Sequence, residues 1–201
     1  NNTGIQYRSK ELSDVGPWSI GGYQCDIHPA APNNAMLYDE RGRGIVAQNG
    51  QTVVVDPQGV RYLTAERKPV EADVAAWNEY TVIAQGNHLT HKLNGQVTAE
   101  IFDYDAKERD LAGLLAIQVH RGPAMRVQVK EILLKDLPDA EVAAFDASKL
   151  PADAKKIEKP APKKAQPGKA GAAKKAAAPK KGATEAKPKA GFLAAGESAR
   201  G

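Results

Sequence analysis

Leu115, Ile117 and Val119 alternate with Ala116, Gln118 and His120, and Met125, Val127 and Val129 alternate with Arg126, Gln128 and Lys130. A period of two marks a strand, whose successive side chains point to opposite faces. Runs 114–120 and 126–134, joined through Gly122-Pro123, therefore predict two strands, each with one apolar face turned to a core. The opposite faces carry His, Gln, Arg and Lys. They are either a solvated outer surface or the donors and acceptors for a hydroxylated ligand.

Short runs of the same kind recur at 4–9, 23–28, 35–38, 52–56, 79–85, 88–93 and 96–102, separated by Gly, Pro, Asn and Asp. No long amphipathic helix interrupts the first 138 residues, so the chain predicts an all-β sandwich. Asn94-Gly95 is the strongest local signal, because a two-residue turn with both φ angles positive favours that pair. Residues 64–76 are polar and broken by proline, which predicts a loop, and 105–111 are charged enough for an exposed turn.

Composition divides the chain of 201 residues. Residues 151–201 hold thirteen Lys or Arg against four Asp or Glu, with sixteen Ala and six Pro, whereas residues 1–150 hold fifteen basic against twenty acidic side chains. The high pI thus belongs to the tail, and charge gives no reason to assign the front part to nucleic acid. The division is a sandwich over 1–138, a short connector over 139–150 and a disordered basic tail over 151–201, too poor in large apolar residues to offset the entropy of ordering. The tail reads as a tether to something further, or as a segment that touches polyanions without sequence specificity. The lone Cys25 alternates with Tyr23 and Ile27, as a small buried hydrophobe does, and excludes an intrachain disulfide. No run of apolar residues is long enough to span a bilayer. The chain opens without Met inside a strand-like run, so its N-terminus, with any export signal, is expected upstream.

Gln24, Asp26 and His28 share one face of 23–28, giving a second polar row. Asp26 is the internal carboxylate best suited to a general base, and Arg8, on the parity of Gln6, the cation best suited to a developing negative charge. A salt bridge between Arg8 and Asp26 accounts for both equally well. His88 and His91, three apart in a strand, point to opposite faces and cannot chelate one ion. No phosphate loop, nucleophile elbow, zinc spacing or EF-hand loop is present.

The blocks NNTGIQYRS at 1–9, WSIGGYQCDIH at 18–28, AMLYDERGRG at 35–44, WNEYTVIAQGNHLTHKLNG at 77–95 and GLLAIQVHRGPAMRVQVKEILLK at 113–135 resemble, in order, the 3-keto-disaccharide hydrolase family, formerly a domain of unknown function numbered 1080. The resemblance implies a concanavalin A-like jelly-roll β-sandwich, here partial because the first strands of the family are missing, and a periplasmic or extracellular location. At Val129-Lys130-Glu131-Ile132, where many relatives have Phe-Arg-Asn-Ile, the chain departs from the family.

What the resemblance implies chemically is cleavage of glycosides already oxidised to a ketone at sugar carbon 3, by elimination and then hydration. It gives base or acid roles to His120 and Asp26, substrate contacts to Arg8, Gln24 and Gln118, and an acid or stacking role to Tyr38. The sequence itself calls for no cofactor and leaves open a divalent metal, held by carboxylate and His, as the stabiliser of the enolate. The expected partner is a carbohydrate, with no specific nucleic acid. A non-catalytic carbohydrate-binding module of a larger exported protein is the competing reading.

Overall fold

The computed structural model describes residues 2–158. Within them the chain forms β1 (Thr3–Glu11), β2 (Ile20–Ile27), β3 (Leu37–Glu40), β4 (Gly44–Ala47), β5 (Gln51–Val55), β6 (Arg61–Glu66), β7 (Tyr80–Gln85), β8 (His88–Leu93), β9 (Gln96–Asp103), β10 (Leu114–Ile117) and β11 (Lys155–Ile157). One sheet has the order β10-β1-β2-β3-β4 and the other β11-β6-β5-β9-β8-β7. Neighbours are antiparallel except β5 and β9. The result is the all-β jelly-roll sandwich that the sequence predicts.

The core lies between the sheets. Tyr7, Tyr23 and Leu37 from the first sheet meet Val53, Val55, Leu89 and Ile101 from the second. Fully burying a side chain such as Leu89 or Ile101 contributes about 1.5–3 kcal/mol. Cys25 is wholly buried in the second cluster, as its alternation predicts, and burial pushes its thiol up. Asn94 and Gly95 take φ of 50° and 78°, closing the expected hairpin with Leu93 opposite Gln96.

An ionic joint fastens the sheets at one end. Arg43, in the β3–β4 turn, donates two hydrogen bonds to Asp103 on β9 at 2.7 and 3.0 Å and one to Asp39 on β3 at 2.8 Å. The Tyr23 hydroxyl donates to the same Asp103 at 2.7 Å. Burial raises the Asp39 carboxyl even though Arg43 pulls it down.

Three expectations need correction. Leu115, Ile117 and Val119 are not core: they are 59%, 40% and 72% exposed. Ile117 pairs with Ile5, which packs against the core toward the second sheet. That sheet ends at β7, however, and none of its strands covers them.

Residues 126–134 form no strand. Glu131 takes a φ of 53°, which breaks an extended run. Lys130 Nζ sits 5.0 Å from the Trp77 ring centre, and further on Gln85 at the end of β7 donates to the Pro138 carbonyl at 2.9 Å.

Lys155–Ile157, assigned by composition to the tail, adds to the edge strand β6, where Ile157 packs against the core. Arg61 donates to the Glu158 carbonyl at 3.3 Å. The disorder expected of the rest of the tail, from residue 159 on, lies outside the described residues.

Candidate functional site

The polar row predicted on β2 exists, and its neighbours complete it. Cross-strand register places Ala116, Gln6, Gln24 and Tyr38 in one line across β10, β1, β2 and β3. In the adjoining line Gly4 stands opposite Asp26, and the Gln118 N–H donates to the Gly4 carbonyl at 2.9 Å. Gln6, Gln24 and Asp26 are all buried.

Their side chains bond to one another. Gln6 Nε2 donates to Gln24 Oε1 at 3.1 Å. Gln24 Nε2 donates in turn to Asp26 Oδ1, and reaches Gln118 Oε1 at 3.5 Å. Gly4 makes this possible, since a Cβ there would stand 2.6 Å from Gln24 Cγ. The missing side chain lets Gln24 lie across β1 toward Gln118. An isolated glycine inside a strand pattern signals such a close approach, and it was the clue available in the sequence.

Burial raises the Asp26 carboxyl above its ordinary value. The hydrogen bond from Gln24 and the nearness of His28 and His120 pull the other way. His120 is exposed and acts on Asp26 through space. Tyr38 is pushed up by burial, then by Glu40 and Asp26, which keeps its phenol protonated as a donor. Of the expected side chains, Asp26, Gln24 and Gln118 are joined by hydrogen bonds and Tyr38 pairs with Gln24 across the strands, while His120 is exposed.

Arg8 does not join them. A β-bulge displaces the register of β1 between Tyr7 and Lys10, and Arg8 takes a φ of 48°. Its guanidinium crosses to the second sheet and donates to the carbonyls of Gly86 at 2.6 Å and Ala84 at 3.0 Å. Among the described residues it makes no salt bridge with Asp26. It ties the end of β7 to β1, and parity from Gln6 fails because the bulge adds a residue.

Beside the polar rows lies a groove of about 480 Å³, walled by Gln6, Gln118, Ala116, Glu40 and Trp18 among others. Trp18 is 95% exposed, at a φ of 64°, in the loop before β2. A bare indole beside amides is a surface on which a sugar ring stacks. Gln6, Glu40 and Trp18 were missed by alternation alone, which does not say which loop meets which face.

The other histidines have structural partners. His88 stacks on Phe102 at 4.3 Å and meets Glu100 at 3.0 Å, while His91 is buried in the core, so the two do point to opposite faces. Among the described residues no group of three or more His, Cys, Asp or Glu side chains is arranged to hold a metal ion. Among them, too, no helix is long and apolar enough to cross a membrane.

No curated protein matches the chain. A family model does: residues 1–135 match the 3-keto-alpha-glucoside-1,2-lyase-like domain, the stretch that contains β1 to β10 and every polar residue of the groove. On that match the chain belongs to the 3-keto-alpha-glucoside-1,2-lyase-like family.

Proposed function

We propose that the protein cleaves 3-keto-glycosides by elimination across carbons 1 and 2, followed by hydration. The ketone at carbon 3 acidifies the hydrogen on carbon 2. A base removes that proton, the C–H electrons form an enolate, and collapse of the enolate expels the substituent on carbon 1. The leaving oxygen takes a proton, and water then adds across the new double bond. This needs a base, a donor toward the enolate oxygen and an acid, and not the paired carboxylates of ordinary glycosidases.

The observation that supports the reading is the cluster of Asp26, Gln24 and Gln118 beside an open groove, within electrostatic reach of His120. Asp26 and His120 share the base and acid work. A raised carboxyl suits proton transfer near neutral pH. Gln118 faces the enolate oxygen, and Tyr38 donates to the leaving group or stacks on the sugar. The location adopted with this role is the periplasm or the extracellular space.

The test is incubation of the whole chain with 3-keto-trehalose and with trehalose, following release of free sugar. Turnover of the oxidised sugar alone is expected, with a loss of about 10²-fold or more in Asp26→Asn and in His120→Ala. Turnover of neither rejects the reading. Trp18, exposed at the rim, favours one second reading, a non-catalytic carbohydrate-binding module. Binding of the sugars without turnover would establish it.

A further inference from the structure

The Gln6–Gln24–Asp26 line, with its branch to Gln118, has a direction, and that direction follows from its end. Gln24 Nε2 donates to Asp26 Oδ1, the arrangement that suits an ionised carboxylate because it only accepts hydrogen bonds. The Gln24 carbonyl is then left for Gln6, whose Nε2 donates to it. Its NH2 is also the group that meets the Gln118 carbonyl. The outer ends are thereby fixed with opposite character. Gln6 turns its carbonyl away from the line, and Gln118 turns its NH2 away.

Gln6 Oε1 is buried and has no hydrogen-bond partner among the described residues. Native proteins leave few buried acceptors in that condition, and each one asks for a donor that the chain does not supply. Gln6 and Gln118 both line the groove.

We propose that Gln6 and Gln118 determine which ligand the groove accepts: Gln6 takes a hydrogen bond from a ligand hydroxyl, Gln118 donates one to a ligand oxygen, and Asp26 fixes which does which. The inference rests on the sugar-site reading above and assigns its substrate contacts. A ketone oxygen accepts and cannot donate, so the ketone of a 3-keto-sugar fits at Gln118 and not at Gln6. The hydroxyl on carbon 2 or carbon 4 then lies at Gln6. Reversal would set carbonyl against carbonyl.

The experiment compares methyl 3-keto-α-glucoside with its 2-deoxy and 4-deoxy derivatives, measuring KM where a sugar turns over and Kd where it does not. In the unaltered protein one deoxy sugar is expected to bind about tenfold more weakly than the parent, the equivalent of one hydrogen bond. In Gln6→Met that gap closes to less than about twofold, because the acceptor is gone and the deleted hydroxyl has nothing to lose. A gap unchanged in Gln6→Met overturns the proposal, and a merely structural Gln6 would give that result together with a lower melting temperature. Should Gln6→Met not fold, Gln6→Asn withdraws the amide by one methylene and is read in the same way. If the unaltered protein binds none of the three sugars, the sugar-site reading itself falls. If it binds all three equally, only the directed line is rejected.

Discussion

Tyr7 and His91 meet in the middle of the sandwich, with the hydroxyl 2.9 Å from Nε2 and the two rings edge to face at 5.6 Å. His91 Nδ1 lies 3.3 Å from the Ala35 carbonyl, which can only accept, so Nδ1 carries the proton and Nε2 accepts from Tyr7. The imidazole is neutral and wholly buried, and burial lowers its pKa to about 4.

That pairing makes stability depend on pH with a definite sign. Below the ordinary value of 6.5 the unfolded chain takes up a proton that folded His91 refuses until about pH 4. Its contribution is therefore complete above pH 6.5 and is lost on acidification through that window, about 3 kcal/mol in all. Urea denaturation of the unaltered protein and of His91→Gln, at pH 7 and pH 4.5, should show a shallower pH dependence in the variant. Equal dependence in both would reject the assignment.

Arg43 sits among three buried carboxylates, with Asp39, Asp103 and Asp105 all within 4 Å of its guanidinium. Arg43→Met leaves those charges without a partner and is expected to cost about 3–5 kcal/mol in urea denaturation. The deficit should narrow at low pH, where Asp39, already raised by burial, becomes neutral and no longer needs a cation. A deficit that widens on acidification would argue against this account.

The bulge at Arg8 is held between two glycines. A Cβ on Gly113 would stand 2.5 Å from the Arg8 carbonyl carbon, and one on Gly22 2.8 Å from Ser9 Cα. Gly113→Ala should therefore cost about 2 kcal/mol or more through strain. Arg8→Ala should lower the melting temperature while leaving sugar affinity unchanged. Loss of affinity in a stably folded Arg8→Ala would restore the ligand contact that the sequence alone favours.

Gly4→Ala tests the site from beneath. The added methyl meets Gln24 Cγ and Cδ at 2.6 and 2.7 Å, so the flexible amide must move off Gln118. Weaker binding or turnover by about tenfold, with a small change in stability, is expected. Unchanged kinetics would show that Gln24 need not lie across β1.

Leu115 and Val119 add little to the fold where they stand. Replacing both by Lys should change stability by less than about 0.5 kcal/mol per site. It should also reduce self-association in sedimentation experiments, because lysine on an edge strand opposes strand addition. A large loss of stability would mean that the row is covered in solution.

Much of this architecture is legible before any coordinate is known, and the failures share a cause. Alternation correctly separates Gln24 and Asp26 from Tyr23 and Cys25, and His88 from His91, because parity is a property of one strand. It cannot say that β7 ends the facing sheet, so the apolar row of β10 is read as core. Nor does it detect the inserted residue that swings Arg8 to the other sheet. β4 and β6 escape notice because each is short or runs into a polar loop, and β11 because three residues vanish in a lysine-rich average. The groove depends on which loop meets which strand, a long-range relation carried by no local pattern.

The parallel seam between β5 and β9 bears on how the chain assembles. β5 forms a hairpin with β6, and β9 forms one with β8, each from residues close together in sequence. Their mutual pairing joins positions more than forty residues apart, Gln51 with Ala99 and Val55 with Asp103. Closing so long a loop comes late and slowly. The second sheet is thus two ribbons of local contacts joined along a single line, so a lesion on that line is expected to slow folding more than to loosen either ribbon.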